Sequence, residues 1–256
     1  MKGRGEPLIL CYHAISETWP SVGAVVPSAL ERQLAFLLRR GYRARTLSAA
    51  LAEPSPQRTL VVTFDDAFQS VIDRGLPVLK SLGIPATLFV PTDFVDRSEP
   101  MTWSTLEQWA GGPHEKELRP MTWDGVRALA QAGWEVGSHT CSHPNLTRVD
   151  DEEALRELSC SREICEDRLQ RPCDGFAYPF GAYDPRIMGL AEAAGYRWAV
   201  VLGERVIEPL SSTSMFDLPR EGVYRSTSWA HFRLMSSGFL RRVRAFHTFG
   251  KISPSS

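Results

Sequence analysis

The sequence predicts an α/β fold in which a parallel sheet or barrel of strands is covered by helices. Short apolar runs alternate with amphipathic segments along most of the 256 residues, a pattern typical of parallel strands joined by helices. Four of the apolar runs also end in polar or turn-forming residues, at His13, Asp65-Asp66, His139 and Gly181. Because ligands and catalytic groups gather where parallel strands end, these positions are the first candidates for a functional site.

The first half of the chain alternates strands and helices in a regular order. We predict strand 8–13, helix 28–40, a strand ending at 66, helix 69–82 and strand 86–90. Ser28 is a favoured N-cap residue, and leucine recurs on one face of the helix that follows it. Gly83 is placed to close the second helix, and Pro91 ends the third strand.

The second half continues the alternation after one interruption. We predict helix 124–132, a strand ending at 139, helix 150–169, a strand around 177, helix 185–194 and strand 198–202. Gly133 and Gly195 follow two of these helices, as expected of C-terminal caps. Residues 92–120 are too long for an ordinary connection, so we expect a functional loop there, within a single domain over 1–250. Residues 251–256 are expected to be a disordered tail.

Composition and charge narrow the classes of partner. A net charge of −1 gives no basis for nucleic-acid binding, and no apolar run approaches the ~20 residues that cross a bilayer. Residues 1–7 lack the pattern of a secretory signal, so we expect a cytoplasmic protein. The five cysteines include no Cys-x-x-Cys pair, which argues against a disulfide framework and against a zinc ribbon. Residues 230–251 form a basic amphipathic stretch, which predicts either packing on its own domain or peripheral membrane contact.

Two adjacent carboxylates, Asp65 and Asp66, end the second strand. If the strand persists through them, their side chains point to opposite sides, so one can bind a cation while the other faces substrate or water. Two close carboxylates need positive charge nearby if both are to be ionised, and a metal ion would provide it. An Asp-Asp pair also occurs simply as a turn or a helix N-cap, and that alternative stays open.

A histidine pair follows the strand that ends at His139. Residues four apart on a helical turn present both rings to one ion, so His139 and His143 are candidate metal ligands. Cys141 lies between them, but its two-residue spacing turns it away from the side they share. Two neutral imidazoles and one carboxylate with open positions suit a catalytic divalent metal, with Zn²⁺ as first choice and other first-row ions as alternatives.

Further residues are candidates on weaker grounds. Tyr178-Pro179-Phe180-Gly181 is a turn by composition, and its backbone N–H groups could bind an oxyanion or serve structure alone. His13 is either catalytic or a buried, hydrogen-bonded histidine. Arg220 could orient a catalytic carboxylate or form a surface ion pair. Trp103 and Trp109, in the long loop, either stack on a sugar or pack the loop.

Taken together, these motifs resemble those of the polysaccharide deacetylases of carbohydrate esterase family 4. Thr63-Phe64-Asp65-Asp66 is similar to the family's first motif, Ser138-His139-Thr140-Cys141-Ser142-His143 to its second, and Tyr178-Pro179-Phe180-Gly181 to its third. The resemblance implies a distorted (β/α) barrel with fewer than eight parallel strands and a metal-dependent de-N-acetylase. It further implies that Asp65 is the catalytic base and that Asp66, His139 and His143 hold the metal.

The chain departs from the family pattern in two places. The third motif often begins with Arg, where this chain has Ala177, and no Leu-x-x-His motif follows Gly195. Leu10-Cys11-Tyr12-His13 has that form at the opposite end, which resembles the circularly permuted order of some bacterial poly-N-acetylglucosamine deacetylases. By that resemblance His13 is the general acid, and Arg220 is a candidate replacement for the missing Arg.

The reaction that the resemblance implies is removal of the N-acetyl group from an N-acetylated amino sugar in a glycan or glycoconjugate, releasing acetate. In that reaction Phe180 offers a backbone N–H to the oxyanion, and Tyr178 and Arg220 complete the substrate-binding set. Two alternatives remain open at this point. One is hydrolysis of another acyl group or a cyclic amide on the same scaffold, and the other is a glycan-binding protein that has lost turnover.

Overall fold

In the computed structural model, parallel strands close into a barrel. The structure describes residues 7–53, 55, 57–202 and 214–237. The strands of these residues are β1 Leu8–Tyr12, β2 Ala14–Ile15, β3 Ala24–Val25, β4 Arg43–Ala44, β5 Thr59–Phe64, β6 Thr87–Val90, β7 Glu135–Ser138, β8 Gly175–Ala177, β9 Trp198–Leu202 and β10 Leu218–Gly222.

Seven of these strands form the ring within the described part of the chain. Their order is β1-β10-β9-β8-β7-β6-β5, and β5 pairs back with β1, all in parallel. β4 extends beside β5, while β2 and β3 pair separately. The expected distorted barrel with fewer than eight strands is confirmed.

The helices follow the strands along the chain. They are α1 Pro27–Arg39, α2 Leu47–Ala52, α3 Leu76–Ser81, α4 Trp123–Gln131, α5 Asp151–Leu169, α6 Pro185–Ala193 and α7 Trp229–Ser236. A π-helical turn, Val71–Gly75, runs directly into α3, so the helix predicted over 69–82 is present but not α-helical throughout. The long loop contains only two short 3₁₀ turns in place of longer elements, Glu107–Trp109 and Glu115–Leu118.

Helix boundaries follow the sequence signals at most ends, with one exception. Asp150 caps α5, where its carboxylate accepts a hydrogen bond from Glu153 N (2.9 Å). Ser28 is not the N-cap of α1, because the helix begins one residue earlier at Pro27, whose fixed φ suits the first helical position. Glycines with positive φ close four helices, at Gly41, Gly83, Gly133 and Gly195.

The sequence reasoning missed several short elements, of which β10 has the largest consequence. Its sequence, Leu-Pro-Arg-Glu-Gly, contains a proline and two charges, and it has weak intrinsic strand propensity. It is a strand because it pairs on both sides, with Leu10 opposite Glu221 and Val200 opposite Leu218. Closure of the ring therefore depends on tertiary pairing that local sequence does not predict.

Helix α2 closes the end of the barrel where the strands begin. Leu47 and Ala50 of α2 pack against the apolar side chains that fill the ring. Leu47 N donates to Thr87 Oγ1 (3.1 Å), and Trp198 Nε1 donates to Ser48 Oγ (3.0 Å), which ties the helix to the first residues of β6 and β9. The polar groups of a site are thereby confined to the other end, where the strands finish.

Gly175 is required by the close packing of β8 against β9. A Cβ built on Gly175 would stand 1.9 Å from the ring of Trp198, its partner across the two strands. We expect Gly175→Ala to lower the free energy of unfolding by about 1–3 kcal/mol or more, because overpacking forces neighbours off their preferred rotamers. Urea unfolding measures this loss.

Gly189→Ala on α6 is the matched control for that substitution. Outside the helix's own backbone, no described atom lies within 4 Å of a Cβ built on Gly189. Alanine is the better helix former, so the control should be neutral or stabilising. An unchanged unfolding midpoint for Gly175→Ala would contradict the packing described for β8 and β9.

Two apolar residues of α7 pack inward, while Leu234 is 44% exposed. Phe232 and Met235 are buried in the core, so they are not available to a membrane surface. The remainder of the stretch 230–251 beyond residue 237, and the tail 251–256, lie outside the described residues, where membrane contact and disorder stay predictions. None of the helices in the described ranges is long and apolar enough to cross a bilayer.

Candidate active site

Residues from five strand ends meet at the mouth of the barrel. His13 comes directly after β1, Asp65 and Asp66 after β5, His139 after β7 and Tyr178 after β8, and Arg220 lies on β10. This arrangement follows from the parallel topology, because all seven strands finish at the same end. The barrel therefore brings together residues that the sequence spreads over more than two hundred positions.

The strand does not persist through the two aspartates. Asp66 and Ala67 have φ of 71° and 49°, so the backbone turns into the left-handed region directly after Asp65. The prediction that strand alternation separates the two carboxylates is therefore wrong. Both lie close enough to His13 for its charge to act on them, yet each has its own partners.

Asp66, His139 and His143 form a compact group of candidate metal ligands. Asp66 Oδ1 lies 3.4 Å from Nε2 of both histidines, and all three side chains are buried. Ligands 2.1 Å from a tetrahedral zinc ion stand about 3.4 Å apart, so the spacing suits such an ion. His139 Nδ1 lies 2.7 Å from the Ala177 carbonyl oxygen, which places the hydrogen on Nδ1 and leaves Nε2 to face Asp66. The donor set thus fits a divalent first-row metal.

His143 is oriented by ring packing rather than by a second hydrogen bond. Among the described residues, none accepts a hydrogen bond from its Nδ1. Instead, the ring of Trp103 stacks on it with centroids 4.1 Å apart, and Phe180 meets it edge-on at 4.7 Å. Trp103 is only 8% exposed and also packs on Phe94. Its ring therefore packs against a candidate metal ligand and is not open to stack on a sugar. Trp109 packs edge-on against Trp19.

The pKa values of these three side chains shift in different directions. Burial alone would raise the pKa of the Asp66 carboxyl, but hydrogen bonds from His139 and His143 outweigh it and hold that pKa well below its usual range. Burial lowers the pKa of His143, which keeps its ring neutral at pH 7. Burial also opposes the charge on His139, but Asp66 and Asp65 outweigh it and raise the pKa of this ring. Metal binding at His139 would displace a proton and should weaken in acid.

Asp65 is held by a buried, bidentate pair with Arg220. Arg220 Nη1 lies 2.6 Å from Oδ1 and Nη2 lies 2.7 Å from Oδ2, and Nη1 also donates to Thr63 Oγ1 (3.0 Å). Burial raises the pKa of the Asp65 carboxyl, but the guanidinium charge and its hydrogen bonds outweigh it and lower that pKa. The structure thus rules out the surface-pair alternative for Arg220, because its side chain is fully buried.

Cys11, His13 and Asp65 form a second close group. Their ligating atoms also lie within 4.8 Å of one another, and Cys11 Sγ is 3.5 Å from Asp65 Oδ2. Because Arg220 already occupies both oxygens of Asp65, its cation would repel a metal ion there. This group is therefore better suited to exchange protons than to bind a metal.

The turn that follows β8 lies beside the metal-ligand group. Phe180 and Gly181 have φ of 59° and 65°, and the Phe180 side chain is 44% exposed at the mouth. Tyr178 is buried, and its hydroxyl donates to the Phe216 carbonyl oxygen (2.9 Å), so its side chain anchors the turn. A substrate contact at Tyr178 would have to come from its backbone.

Two residues near the site escaped the sequence reasoning. Tyr224 stands beyond the end of β10, with its hydroxyl 2.5 Å from where a Cβ on Gly222 would lie. Glu157 is buried on the inward face of α5 beside Ala154 and Leu158. A charged residue on an otherwise apolar helix face is a signal that could have identified Glu157.

Comparison with known proteins agrees with this geometry. A family model described as polysaccharide deacetylase matches residues 52–199, more than half of the chain. The Bacillus subtilis (strain 168) protein YxkH is 25% identical over 198 residues, covering 75% of this chain and 63% of that protein. A Staphylococcus aureus (strain MRSA252) protein named poly-β-1,6-N-acetyl-D-glucosamine N-deacetylase is 23% identical over 201 residues, covering 74% of this chain and 64% of that protein. The chain thus spans less than two thirds of the length of these relatives.

Solved structures share the fold at low identity. The Streptococcus pyogenes deacetylase PplD, in complex with acetate, superposes with a TM-score of 0.72 at 21% identity, covering 90% of this chain and 97% of that chain. IcaB from Ammonifex degensii gives 0.71 at 21% identity, covering 90% and 96%. These likenesses show a common barrel, and the range matched by the family model includes Asp65, Asp66, His139 and His143. The chain belongs to the polysaccharide deacetylase family.

Proposed function

We propose that the protein is a metal-dependent hydrolase that removes the N-acetyl group from an N-acetylated amino sugar in a glycan or glycoconjugate. The observation that carries this proposal is the meeting of two groups at one barrel mouth. Asp66, His139 and His143 are a set of ligands that fits a metal ion. Beside it, Asp65 can accept a proton and His13 can donate one. The name of the Staphylococcus aureus relative, a poly-β-1,6-N-acetyl-D-glucosamine N-deacetylase, supports the choice of substrate class.

Asp66, His139 and His143 would hold the metal, with Zn²⁺ as first choice. A bound divalent ion supplies a Lewis acid that polarises the amide carbonyl and lowers the pKa of a water molecule. Asp66 contributes the negative charge of the set, and the neutral imidazoles leave the ion with a net positive charge. The remaining steps belong to side chains of the chain itself.

Asp65 accepts the proton of the attacking water as general base. Arg220 keeps this carboxylate ionised and fixes both of its oxygens, so the base is available at neutral pH. The ring of Phe180 lies against His143, and the backbone N–H of Phe180 would donate to the developing oxyanion. His13 then donates a proton to the departing nitrogen, which leaves as an amine together with acetate.

Arg220 also takes the place of the arginine that often begins the family's third motif, where this chain has Ala177. The family's Arg at that position is absent here, but a guanidinium reaches Asp65 from β10. The charge that would hold the base is thus retained from a different strand. This favours a catalytic protein over a binding protein, because a binder has no need of a buried, oriented base.

The test measures metal content and acetate release in the same preparations. We expect about one equivalent of metal in the parent and none in Asp66→Ala or His139→Ala, since each removes one of three protein ligands. Cys141→Ala is the matched control: it lies between the two histidines, but its thiol points to the Glu157 carbonyl oxygen (3.8 Å), so it should keep its metal. Acetate should appear only with metal-loaded protein, measured on free, nucleotide-linked and polymeric N-acetylated sugars.

The other outcomes separate the alternatives. The protein could bind metal and release no acetate from any sugar, yet hydrolyse other acyl amides or cyclic amides. That result would replace N-acetylated sugars by those amides as the substrate class. Metal and sugar binding without any hydrolysis would identify a binding protein. A parent that takes up no Zn²⁺, Co²⁺ or Ni²⁺ would overturn the proposed hydrolase.

A further inference from the structure

The turn that carries the two histidines has a strained backbone. Thr140 and His143 have φ of 67° and 61°, in the left-handed region that residues with a Cβ rarely adopt. After β7 the carbonyl oxygens of the turn still accept hydrogen bonds from the segment that follows β6, but the N–H groups of Cys141 and Ser142 need acceptors from elsewhere. Such a turn keeps its shape only if neighbouring groups hold it.

The Glu157 carboxylate supplies those acceptors. Glu157 Oε2 accepts from Cys141 N (2.8 Å) and from Ser142 N (2.9 Å), and Oε1 accepts from Ser142 Oγ (2.7 Å). Glu157 itself is 1% exposed. Three donors converge on one side chain, which suits an acceptor-only carboxylate and not an amide, whose NH₂ would face a donor.

Helix α5 also grips the start of the turn. Ser161, one helical turn after Glu157, has its Oγ 2.7 Å from Ser138 Oγ and 2.7 Å from the Glu157 carbonyl oxygen. Ser138 Oγ in turn accepts from Thr140 N (3.2 Å). Both ends of the turn are thus fixed to the same helix, and the helix is a rigid support for the histidines.

We infer that Glu157 is a positioning residue for the metal site, holding residues 139–143 in the geometry in which both imidazoles face Asp66. The inference rests on the proposed function, because the geometry matters only if these histidines bind a metal. Glu157 acts through the turn backbone and touches neither His139 nor His143. The ordinary alternative is a buried carboxylate that stabilises the fold without affecting the metal.

Glu157→Gln tests the inference with a readout that is independent of turnover. We expect its dissociation constant for Zn²⁺, measured by competition with a chromogenic chelator, to rise by about 10- to 100-fold, as for other residues that support metal ligands. Glu163→Gln is the matched control. Glu163 is exposed on α5, and no hydrogen bond or ion pair of the described residues joins it to Glu157 or to the turn, so this variant should bind Zn²⁺ like the parent.

Thermal unfolding with and without Zn²⁺ separates positioning from general stability. Positioning predicts that the rise in melting temperature on adding Zn²⁺ is smaller in Glu157→Gln than in the parent. A lower melting temperature with unchanged Zn²⁺ affinity would overturn the inference and leave the proposed function intact. A parent without Zn²⁺ affinity would overturn both.

Ser142→Ala keeps the inference testable if Glu157→Gln does not fold. It removes one of the three contacts, the hydroxyl on Oε1, and leaves both backbone bonds in place. We expect a smaller, several-fold loss of Zn²⁺ affinity. Parental affinity in Ser142→Ala, when Glu157→Gln does not fold, would count against the positioning role.

Discussion

Replacing Asp65 with asparagine is expected to lower the rate of acetate release by about 10²- to 10⁴-fold, the usual contribution of a general base. The variant should still bind one metal ion, because Asp65 lies outside the group formed by Asp66, His139 and His143. Asparagine has nearly the same shape, but its amide cannot take a proton from water at neutral pH. Metal content and initial rates on the same sample measure the two effects.

Asp66→Asn is the matched control, since it makes the same change one residue later. We expect it to lose the metal and the activity together, whereas Asp65→Asn loses activity alone. The two variants therefore distinguish a catalytic base from a metal ligand at adjacent positions. Near-parental turnover in metal-loaded Asp65→Asn would show that Asp65 is not the general base.

Arg220→Met is expected to lower the free energy of unfolding by about 3–5 kcal/mol at pH 8, because it leaves the buried carboxylate of Asp65 without its partner. In the parent, the pKa of Asp65 is below its unfolded value, so the pair adds stability above that value and loses it as pH falls through the folded pKa. In the variant, burial instead raises the pKa of Asp65. The penalty should therefore be smaller at pH 4.5, where the variant can fold with Asp65 protonated, and grow as the pH rises.

Urea unfolding of both proteins at pH 4.5 and pH 8, with a chelator present, measures this dependence. The double variant Asp65→Asn/Arg220→Met is the control, because it removes both charges together. It should regain much of the stability at pH 8 while remaining inactive. An equal loss for Arg220→Met at both pH values would contradict the expected rise of the Asp65 pKa in the variant, and with it the burial cost that Arg220 offsets.

Much of the site could be predicted because it depends on local signals at strand ends. Apolar runs place Asp65 and His139 at the end of parallel strands, and parallel topology brings them together whatever their separation in the chain. Helix α5 could be predicted equally well, because Asp150 is a favoured N-cap residue. The turn at Asp66 was not, since aspartate tolerates left-handed backbone but does not require it.

The interactions that sequence reasoning missed or left open are non-local. The role of Arg220 depends on β10, a weak strand that forms only between two others, and its partner Asp65 is 155 positions away. Glu157 stands out in the sequence only as a charge on the inward face of α5, and its partners, in the turn after His139, are known only from the structure. Trp103 belongs to a long loop without longer regular elements, where no periodicity indicates which side is buried.

The stack of Trp103 on His143 restricts how this protein can be changed. Loops at a barrel mouth are usually the part of a fold that can vary to alter substrate choice, because the scaffold beneath them is unaffected. Here the long loop packs Trp103 against His143, a proposed metal ligand, so an insertion or exchange that shifts Trp103 also disturbs His143. Libraries that diversify residues 92–120 should keep Trp103 fixed, and grafted loops should carry an aromatic residue to the same place.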